Sequence, residues 1–372
     1  MRTIRRLIYG EVAVAVGFVL LGFLALFFFF DFVDELPDLG RRSPLDAQRV
    51  YGMAQALLYV GLLMPSRVYE LLPIAVLIGS VFVLARLAQS SEYTILRTSG
   101  LGPWRALRSL LGLGALFVGL TFALGDYIAP MADRSAQLLK ASYQGHISLG
   151  QTGAWLKERQ TYSNFSVNVG ALTPQGGLDQ VRIFEFDNQG FLVSITQAAS
   201  GQIGDDDAWT LHQVQRREFD AAGQGAARIT RTEEAVARWP SSISTEMVSA
   251  ALLKPERMRT TDLYAYIRHL QANGQTAQAY EIEFWRKVFY PLSCLVMVVL
   301  ALPFAYLHFR SGSITGYVFG GVMAGISFFL LNNVFGYIGN LHQWQPWLAA
   351  AAPAMIYSFI SLAAFGWLVL RR

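Results

Sequence analysis

Residues 311–370 read SGSITGYVFGGVMAGISFFLLNNVFGYIGNLHQWQPWLAAAAPAMIYSFISLAAFGWLVL, a run of 60 residues without Asp, Glu, Lys or Arg. About 20 apolar residues are enough to cross a bilayer as one α-helix, so this run is long enough for two. Near its middle, residues 340–346 combine polar side chains, a Trp and a Pro, as turns at a membrane surface do. The run therefore predicts two membrane helices joined by a short turn.

The whole chain is poor in charge. Of its 372 residues, 53% are hydrophobic and 15% are charged, where a soluble protein carries about 25% charged residues. This composition excludes an ordinary soluble enzyme and a disordered chain. Four more segments have the length of membrane helices: residues 12–30, about 68–85, 109–125 and 288–308. The first resembles a secretory signal but is long and lacks a small-residue cleavage site, so we interpret it as a retained helix.

The six predicted helices divide three and three around a large polar insert, and the arginines orient them. Lys and Arg near helix ends stay on the cytoplasmic side of a membrane. With the N-terminus inside, the cytoplasmic segments hold ten basic and two acidic residues, whereas residues 126–287 hold 18 acidic and 16 basic residues. We therefore predict that both termini are cytoplasmic and that the insert lies outside.

The insert reads as a β-domain followed by a helical stalk. Residues 165–169, 181–186 and 209–211 favour strands, and turn-forming residues separate them. Strands spaced about ten residues apart indicate a β-sandwich or jelly roll. The predicted domains are residues 1–125 with three membrane helices, 126–259 with the β-jelly roll and its connectors, 260–287 with the stalk, and 288–372 with three further membrane helices.

The sequence lacks the motifs of the common catalytic sites. None of the four lysines follows a glycine, which excludes a Walker A nucleotide site. No serine has glycine two residues before and two residues after it, the five histidines are scattered, and Cys294 is the only cysteine. We therefore expect no cofactor in this chain. An intramembrane enzyme built from distant carboxylates stays open as an alternative.

Two regions carry a family resemblance. Residues 72–79 read LPIAVLIG, residues 87–92 read LAQSSE, and residues 97–100 read RTSG. The second region, residues 284–293, reads FWRKVFYPLS and continues through Leu-Pro-Phe and Phe-Arg-Ser. In this order and spacing the motifs resemble the lipopolysaccharide-export permeases, the LptF/LptG family, and are more similar to its LptG branch. The resemblance spans the chain.

The resemblance implies a transport subunit of an α-helical membrane fold with six helices and an inserted periplasmic β-jelly roll. It implies a bacterial inner-membrane location and four partners: a cytoplasmic LptB-like ATPase dimer, which would hold the ATP and Mg, an LptF-like second permease, an LptC-like periplasmic bridge protein, and lipopolysaccharide as substrate. No nucleic acid is implied. By position, residues 88–100 would form a coupling helix that docks on the ATPase through Glu92, with Ser91 and Gly100 in the same motif.

A carrier of a phosphorylated, acylated lipid needs cations above an apolar cavity. Arg41 and Arg42 follow the first helix and Lys140 follows the third, so these are the candidate phosphate-binding residues. Phe23, Phe27 and Phe30 lie at spacings of four and three, which gives the first helix an aromatic face for acyl chains. The chain departs from the family pattern at Asp31, where members can carry a Lys.

Two other classes of function stay open. The chain could be a membrane-anchored scaffold whose outer domain recruits partners by strand addition. It could also be an intramembrane lipid-modifying enzyme. Co-purification with a P-loop ATPase and a second six-helix permease would separate the transporter from both.

Overall fold

The computed structural model describes residues 2–43, 50–90, 95, 102–144, 153–173, 176–204, 208–220, 228–251, 255–306 and 314–370. The chain divides into two compact units. The membrane unit comprises Met1–Asp34, Val60–Ala132 and Gln278–Arg372, and the sheet unit comprises Glu35–Tyr59 and Asp133–Ala277.

The described part of the membrane unit is helical, and in the sheet unit helices precede and follow the strands in sequence. In chain order the described helices are α1 (Arg2–Glu35), α2 (Met53–Gln89), α3 (Pro103–Ala123), α4 (Ala129–Gln144), α5 (Thr245–Ala251), α6 (Thr260–Ala272), α7 (Gln278–Phe289), α8 (Ser293–Ala301), α9 (Ile314–Leu341) and α10 (Pro346–Leu370). A π-helical turn, Leu124–Ile128, joins α3 to α4. Because α9 ends at Leu341 and α10 begins at Pro346, the prediction of two helices and a turn in the uncharged run is confirmed.

The fourth predicted span, residues 288–308, differs from the prediction because its helix begins earlier and is bent. The helix begins ten residues earlier, and α7 and α8 form a pair bent by 47°. Pro291 stands in the break between them, where its missing N–H removes a helical hydrogen bond. In the part of the chain that the structure describes, five other helical segments are long and apolar enough to cross a membrane. The count of six holds if the bent pair is one span, and it stays a prediction.

The centre of α2 forms the core of the membrane unit. Residues 71–81 are buried on every side of the helix, as expected of a helix that is apolar all round. Val12 and Val16 of α1 belong to the same buried cluster. Gly79 allows this close approach, because a Cβ there would lie 2.7 Å from the Val16 backbone nitrogen.

The sheet unit contains one antiparallel sheet. Its strands are β1 (Ala154–Arg159), β2 (Asn164–Leu172), β3 (Leu178–Phe186), β4 (Leu192–Ile203), β5 (Ala208–Asp220) and β6 (Arg228–Pro240), and each pairs with its neighbours in sequence. This order is a meander. The jelly-roll prediction is not confirmed, because a jelly roll joins two sheets through Greek-key connections.

The sheet curls until its two edges meet at one end. The Gln160 side chain, just after β1, donates a hydrogen bond to the Pro240 carbonyl at the end of β6 (3.0 Å). The buried Glu158 carboxylate of β1 accepts hydrogen bonds from the Ser241 hydroxyl (2.7 Å) and the Ser242 backbone N–H (2.8 Å). Residues 80 to 84 positions apart in the sequence therefore close the sheet on one side.

The segment predicted as one stalk, residues 260–287, contains two helices. α6 belongs to the sheet unit, where α5 packs between it and β1. α7 belongs to the membrane unit, and the boundary between the two units falls after Ala277. The charged residues of α7 are therefore part of the membrane unit.

Candidate functional site

The loop after α1 carries two of the predicted phosphate-binding residues. After a 3₁₀ turn at Leu36–Asp38, Gly40 has a φ of 87°, which glycine adopts without strain. The Gly40 N–H donates to the Tyr51 carbonyl (2.9 Å) and the Tyr51 N–H donates to the Arg41 carbonyl (2.8 Å). Arg42 pairs with Val50. This short antiparallel pairing holds Arg41 and Arg42 on the protein surface.

Lys140 lies among the acidic residues at the end of α1. Its Nζ is 2.5 Å from Glu35 Oε1 and 3.2 Å from Asp38 Oδ2, and it lies 4.8 Å from the centre of the Tyr59 ring. Arg41 Nη1 is 3.2 Å from the other Asp38 oxygen. We call these four charged residues, Glu35, Asp38, Arg41 and Lys140, the Lys140 cluster. Its two cations and two carboxylates balance.

Tyr51 completes the environment of Glu35. Its hydroxyl donates a 3.0 Å hydrogen bond to Glu35 Oε2. The Glu35 side chain is only 5% exposed, but both of its carboxylate oxygens have partners, and these partners compensate for its burial. Burial, and then the negative charge of Glu35, raises the pKa of Tyr51 well above its ordinary value. The hydroxyl therefore remains a proton donor to Glu35.

Arg67 of α2 forms a second ion-pair group, within the membrane unit. Its Nη2 and Nε donate to the two Asp31 oxygens at 2.7 and 3.1 Å, a bidentate geometry. Its Nη1 lies 3.4 Å from Glu70, and its guanidinium lies 4.9 Å from the centre of the Phe27 ring. Asp31 is therefore the ion-pair partner of Arg67 in α2.

The three predicted phenylalanines of α1 do not share one environment. Phe23 and Phe27 are half-buried, and Phe30 is 55% exposed. The most exposed large side chains of α1 are Val14, Phe18 and Leu21, whose spacings of four and three place them on another face of the helix.

The buried charges of α7 were not predicted as functional residues. Arg286 donates from Nη1 to Glu283 (3.1 Å) and from Nη2 to the Asn332 carbonyl of α9 (3.1 Å). Lys287 is 5% exposed. The sequence did contain a signal for them, because Glu283, Arg286 and Lys287 stand directly before an apolar run. Placing an ionisable side chain in a membrane is costly, so such residues often have a functional role.

Lys287 contacts the π-helical turn between α3 and α4. The Ala129 N–H bonds to the Leu124 carbonyl, and Pro130 has no N–H to donate to the Gly125 carbonyl five residues earlier. Lys287 Nζ donates to that carbonyl (3.1 Å). A Cβ at position 125 would overlap the Tyr69 ring. Gly125 therefore joins α2, the π turn and α7 in close contact.

The predicted coupling residues Ser91, Glu92 and Gly100 lie outside the described residues. The nearest described part is the end of α2, where Arg86 Nη2 lies 2.7 Å from Glu11 of α1. This ion pair joins the first two helices at their predicted cytoplasmic ends.

The structure therefore brings some of the predicted site residues together. Arg41 and Lys140 share Asp38, and Arg42 is the next residue on the same loop. Phe27 contacts Arg67, which the prediction did not include among the substrate-binding residues. Among the described residues, no group of three or more His, Cys, Asp or Glu side chains could hold a metal ion.

Comparisons with known proteins match the chain along almost its full length. A family model described as "Lipopolysaccharide export system permease LptF/LptG" matches residues 6–370. The lipopolysaccharide export system permease protein LptG of Escherichia coli (strain K12) is 27% identical over 344 residues, which cover 92% of this chain and 90% of that protein. The LptG of Haemophilus influenzae is 26% identical over 375 residues, which cover 100% of this chain and 99% of that protein.

Proposed function

Because the chain belongs to the LptF/LptG family of lipopolysaccharide export permeases, we propose that it is the LptG-type permease subunit of an ATP-driven exporter. In this function it extracts lipopolysaccharide from the outer leaflet of the inner membrane and passes it to a periplasmic bridge. The observation that carries the proposal is the family match over residues 6–370, which includes both the membrane helices and the sheet.

The partners follow from the same proposal. An LptB-like ATPase dimer with its ATP and Mg lies on the cytoplasmic side, an LptF-like permease completes the membrane part, and an LptC-like protein receives the lipid. Glu92 docks on the ATPase, where it pairs with a basic residue and transmits motion. Ser91 and Gly100 belong to the same coupling segment.

The orientation in the inner membrane is supported by charge. The predicted cytoplasmic segments hold ten basic and two acidic residues, and this excess of basic residues supports the proposal of cytoplasmic termini and a periplasmic sheet unit. The bent pair α7–α8 then serves as the fourth of six spans, so that three spans precede the sheet in sequence and three follow it.

The Lys140 cluster is the proposed phosphate-binding group. Lys140 and Arg41 are held by Glu35 and Asp38, so a lipid phosphate enters by exchange with these carboxylates rather than by filling a vacant cationic site. Arg42 is exposed beside them. Such an exchange leaves the number of ion pairs of each cation unchanged, which favours reversible loading. Phe23, Phe27 and Phe30 contribute apolar surface for acyl chains.

The test uses the chain purified with its co-purifying partners in lipid vesicles that contain lipopolysaccharide. Wild-type complex should release the lipid to a soluble acceptor when ATP is added. Glu92→Ala should retain ATP hydrolysis and lower lipid release per ATP at least about tenfold, since one partner of a docking charge pair is lost. Glu233→Ala, at an exposed position of β6, is the matched control and should behave as wild type.

Other outcomes would identify the alternatives. A chain that purifies without an ATPase, and whose depletion leaves lipopolysaccharide export intact, is a scaffold. Formation of a modified lipid by this chain alone, without ATP, would identify an enzyme. Unchanged coupling in Glu92→Ala would remove the role given to that residue.

A further inference from the structure

A row of positions across the middle of the sheet is skipped by the strand pairing. In β2 and β3, for example, Val169 pairs with Val181 and Ala171 pairs with Asp179, but the residues between them do not pair. The same gap recurs in the next three ladders at matching positions. The skipped residues are Gly170, Gln180, Ala199, Gln213 and Ala235. The register is the same on both sides of this row, so the row interrupts the pairing of four neighbouring strand pairs without shifting the strands.

Two glutamines in this row have strained backbones. Gln180 and Gln213 both have a φ of 53°, in the left-handed region that is uncommon for residues other than glycine. Among the described residues, the other left-handed positions of the sheet unit, Gly40, Gly153, Gly176, Gly190 and Gly274, are all glycines. A glycine would adopt this left-handed conformation without strain. The backbone alone therefore does not account for glutamine at positions 180 and 213, and retained strain points to a use for the side chains.

Both side chains line the same open pocket. It has a volume of about 330 Å³ and is lined by Gln180, Gln197, Gln213, Gln215 and Arg182, with buried Val181 among its remaining lining residues. This volume lies at the lower end of the range of small-molecule sites, about 300–1,000 Å³.

The amides that line the pocket are available to a ligand. No hydrogen bond joins any of these four side-chain amides to another residue in the part of the chain that the structure describes. Gly170 provides space for one of them, because a Cβ at that position would lie 3.0 Å from Gln180 Cβ and 3.3 Å from its Oε1.

The lining specifies the chemistry of the ligand. Each amide offers both donors and an acceptor, which matches hydroxyl groups, since these also donate and accept. Arg182 adds one cation, and none of the lining residues is acidic or aromatic. A metal ion would lack a carboxylate here. A peptide that binds by strand addition would need a sheet edge, whereas β3, β4 and β5 are internal strands.

We propose that this pocket binds a saccharide that carries an anionic substituent, with the glutamine amides on its hydroxyls and Arg182 on its charge. This inference rests on the proposed function, in which the saccharide is the glycan portion of the exported lipopolysaccharide. The sheet unit then recognises the sugar of the lipid, separately from the acyl chains and from the phosphates proposed to meet the Lys140 cluster.

The test measures binding of a lipid-free probe to the purified full chain in detergent. The probe is the phosphorylated core oligosaccharide that mild acid releases from lipopolysaccharide, titrated by calorimetry. The double variant Gln180→Gly/Gln213→Gly removes two amides and relieves the strain. It should bind at least about tenfold more weakly, from the loss of two hydrogen bonds, while its Tm stays equal to wild type or rises.

The matched control is Gln343→Gly. Gln343 also has a left-handed backbone, with a φ of 54°, but it lies in the turn between α9 and α10. It should leave oligosaccharide binding unchanged. Arg182→Gln should weaken binding of the phosphorylated probe and leave binding of the same probe after phosphatase treatment unchanged.

The proposal is overturned if wild-type chain does not bind the oligosaccharide, if the double variant binds it as wild type does, or if lipid A without core sugars competes for the site. These results do not depend on the ATPase. A chain that binds the oligosaccharide but shows no ATP-driven lipid release would contradict the proposed function and leave the saccharide site standing.

Discussion

Glu35 is the residue on which the Lys140 cluster depends. Its buried carboxylate bonds to Lys140 on one oxygen and to Tyr51 on the other. In the proposed exchange, Glu35 and Asp38 compete with a lipid phosphate for the same cation. The charge of Glu35 therefore stabilises the fold and opposes lipid binding.

Glu35→Gln should separate these two effects. The amide keeps the shape of the side chain but removes its charge, so the Lys140 ammonium is left with Asp38 alone. We expect a loss of about 1–3 kcal/mol in the free energy of unfolding and tighter binding of a bis-phosphorylated lipid. Thermal unfolding and lipid binding in detergent check the two parts.

Asp34→Asn is the control, because this neighbouring acid is exposed. It should change stability by less than about 0.5 kcal/mol and leave lipid binding unchanged. Weaker lipid binding in Glu35→Gln would show that Glu35 supports the phosphate site instead of competing with it.

At this scale the sequence predicted which side chains carry charge but not how they pair. Arg41 and Lys140 stood out because they follow predicted helices. Their carboxylate partners did not stand out, since Lys140 and Glu35 are 105 residues apart and nothing in local spacing relates them. Likewise, Asp31, the bidentate partner of Arg67, is 36 residues away from it in the sequence.

The π-helical turn is the element whose cause is clearest. Pro130 removes the N–H that would serve the Gly125 carbonyl, and Lys287 from α7 replaces it. Lys287 thereby joins the π-helical turn between α3 and α4 to α7, close to the bend between α7 and α8.

A double-mutant cycle should measure this replacement. Lys287→Met leaves the buried Gly125 carbonyl without its donor, which we expect to cost about 1–3 kcal/mol in the free energy of unfolding. In a Pro130→Ala background the new N–H at position 130 can serve the carbonyl, so the same Lys287→Met change should cost less. Thermal unfolding of the four proteins in detergent provides the comparison. Equal costs in the two backgrounds would show that the Lys287 bond does not compensate for Pro130.

Elements were predictable where one pattern dominates. The uncharged run predicted α9, α10 and their turn because charge depletion reports a membrane span directly. The bend between α7 and α8 was missed because α7 is amphipathic and charged, and it read as part of the stalk. Strand positions followed from alternation, but strand order did not, because period-two patterns do not specify which strands pair.

At the scale of the whole molecule, topology is the testable property. The chain has one cysteine, Cys294, and it is fully buried, so introduced cysteines report their own accessibility. Asn188, in a sheet turn, and Gln343, between α9 and α10, should lie outside, whereas Ser90, at the end of α2, should lie inside.

A membrane-impermeant maleimide should therefore label Asn188→Cys and Gln343→Cys in cells with a permeabilised outer membrane. Ser90→Cys should be labelled only after lysis, and the parent chain should not be labelled in either condition. Labelling of Ser90→Cys before lysis would reverse the proposed orientation.

The meander has a consequence for how the sheet unit is made. Because each strand pairs with the strand before it, every ladder can form as soon as the next strand has been synthesised, and these local pairings favour rapid folding. The bonds that reach β1 from residues beyond β6 are the exception. Glu158 bonds to Ser241 and Ser242, and the backbone N–H groups of Lys157 and Arg159 donate to the side chains of Gln275 and Asn273. The order of synthesis thus makes closure of the sheet the final step of its folding, and the carboxylate of Glu158 has no partner from this closure until residue 242 has been synthesised.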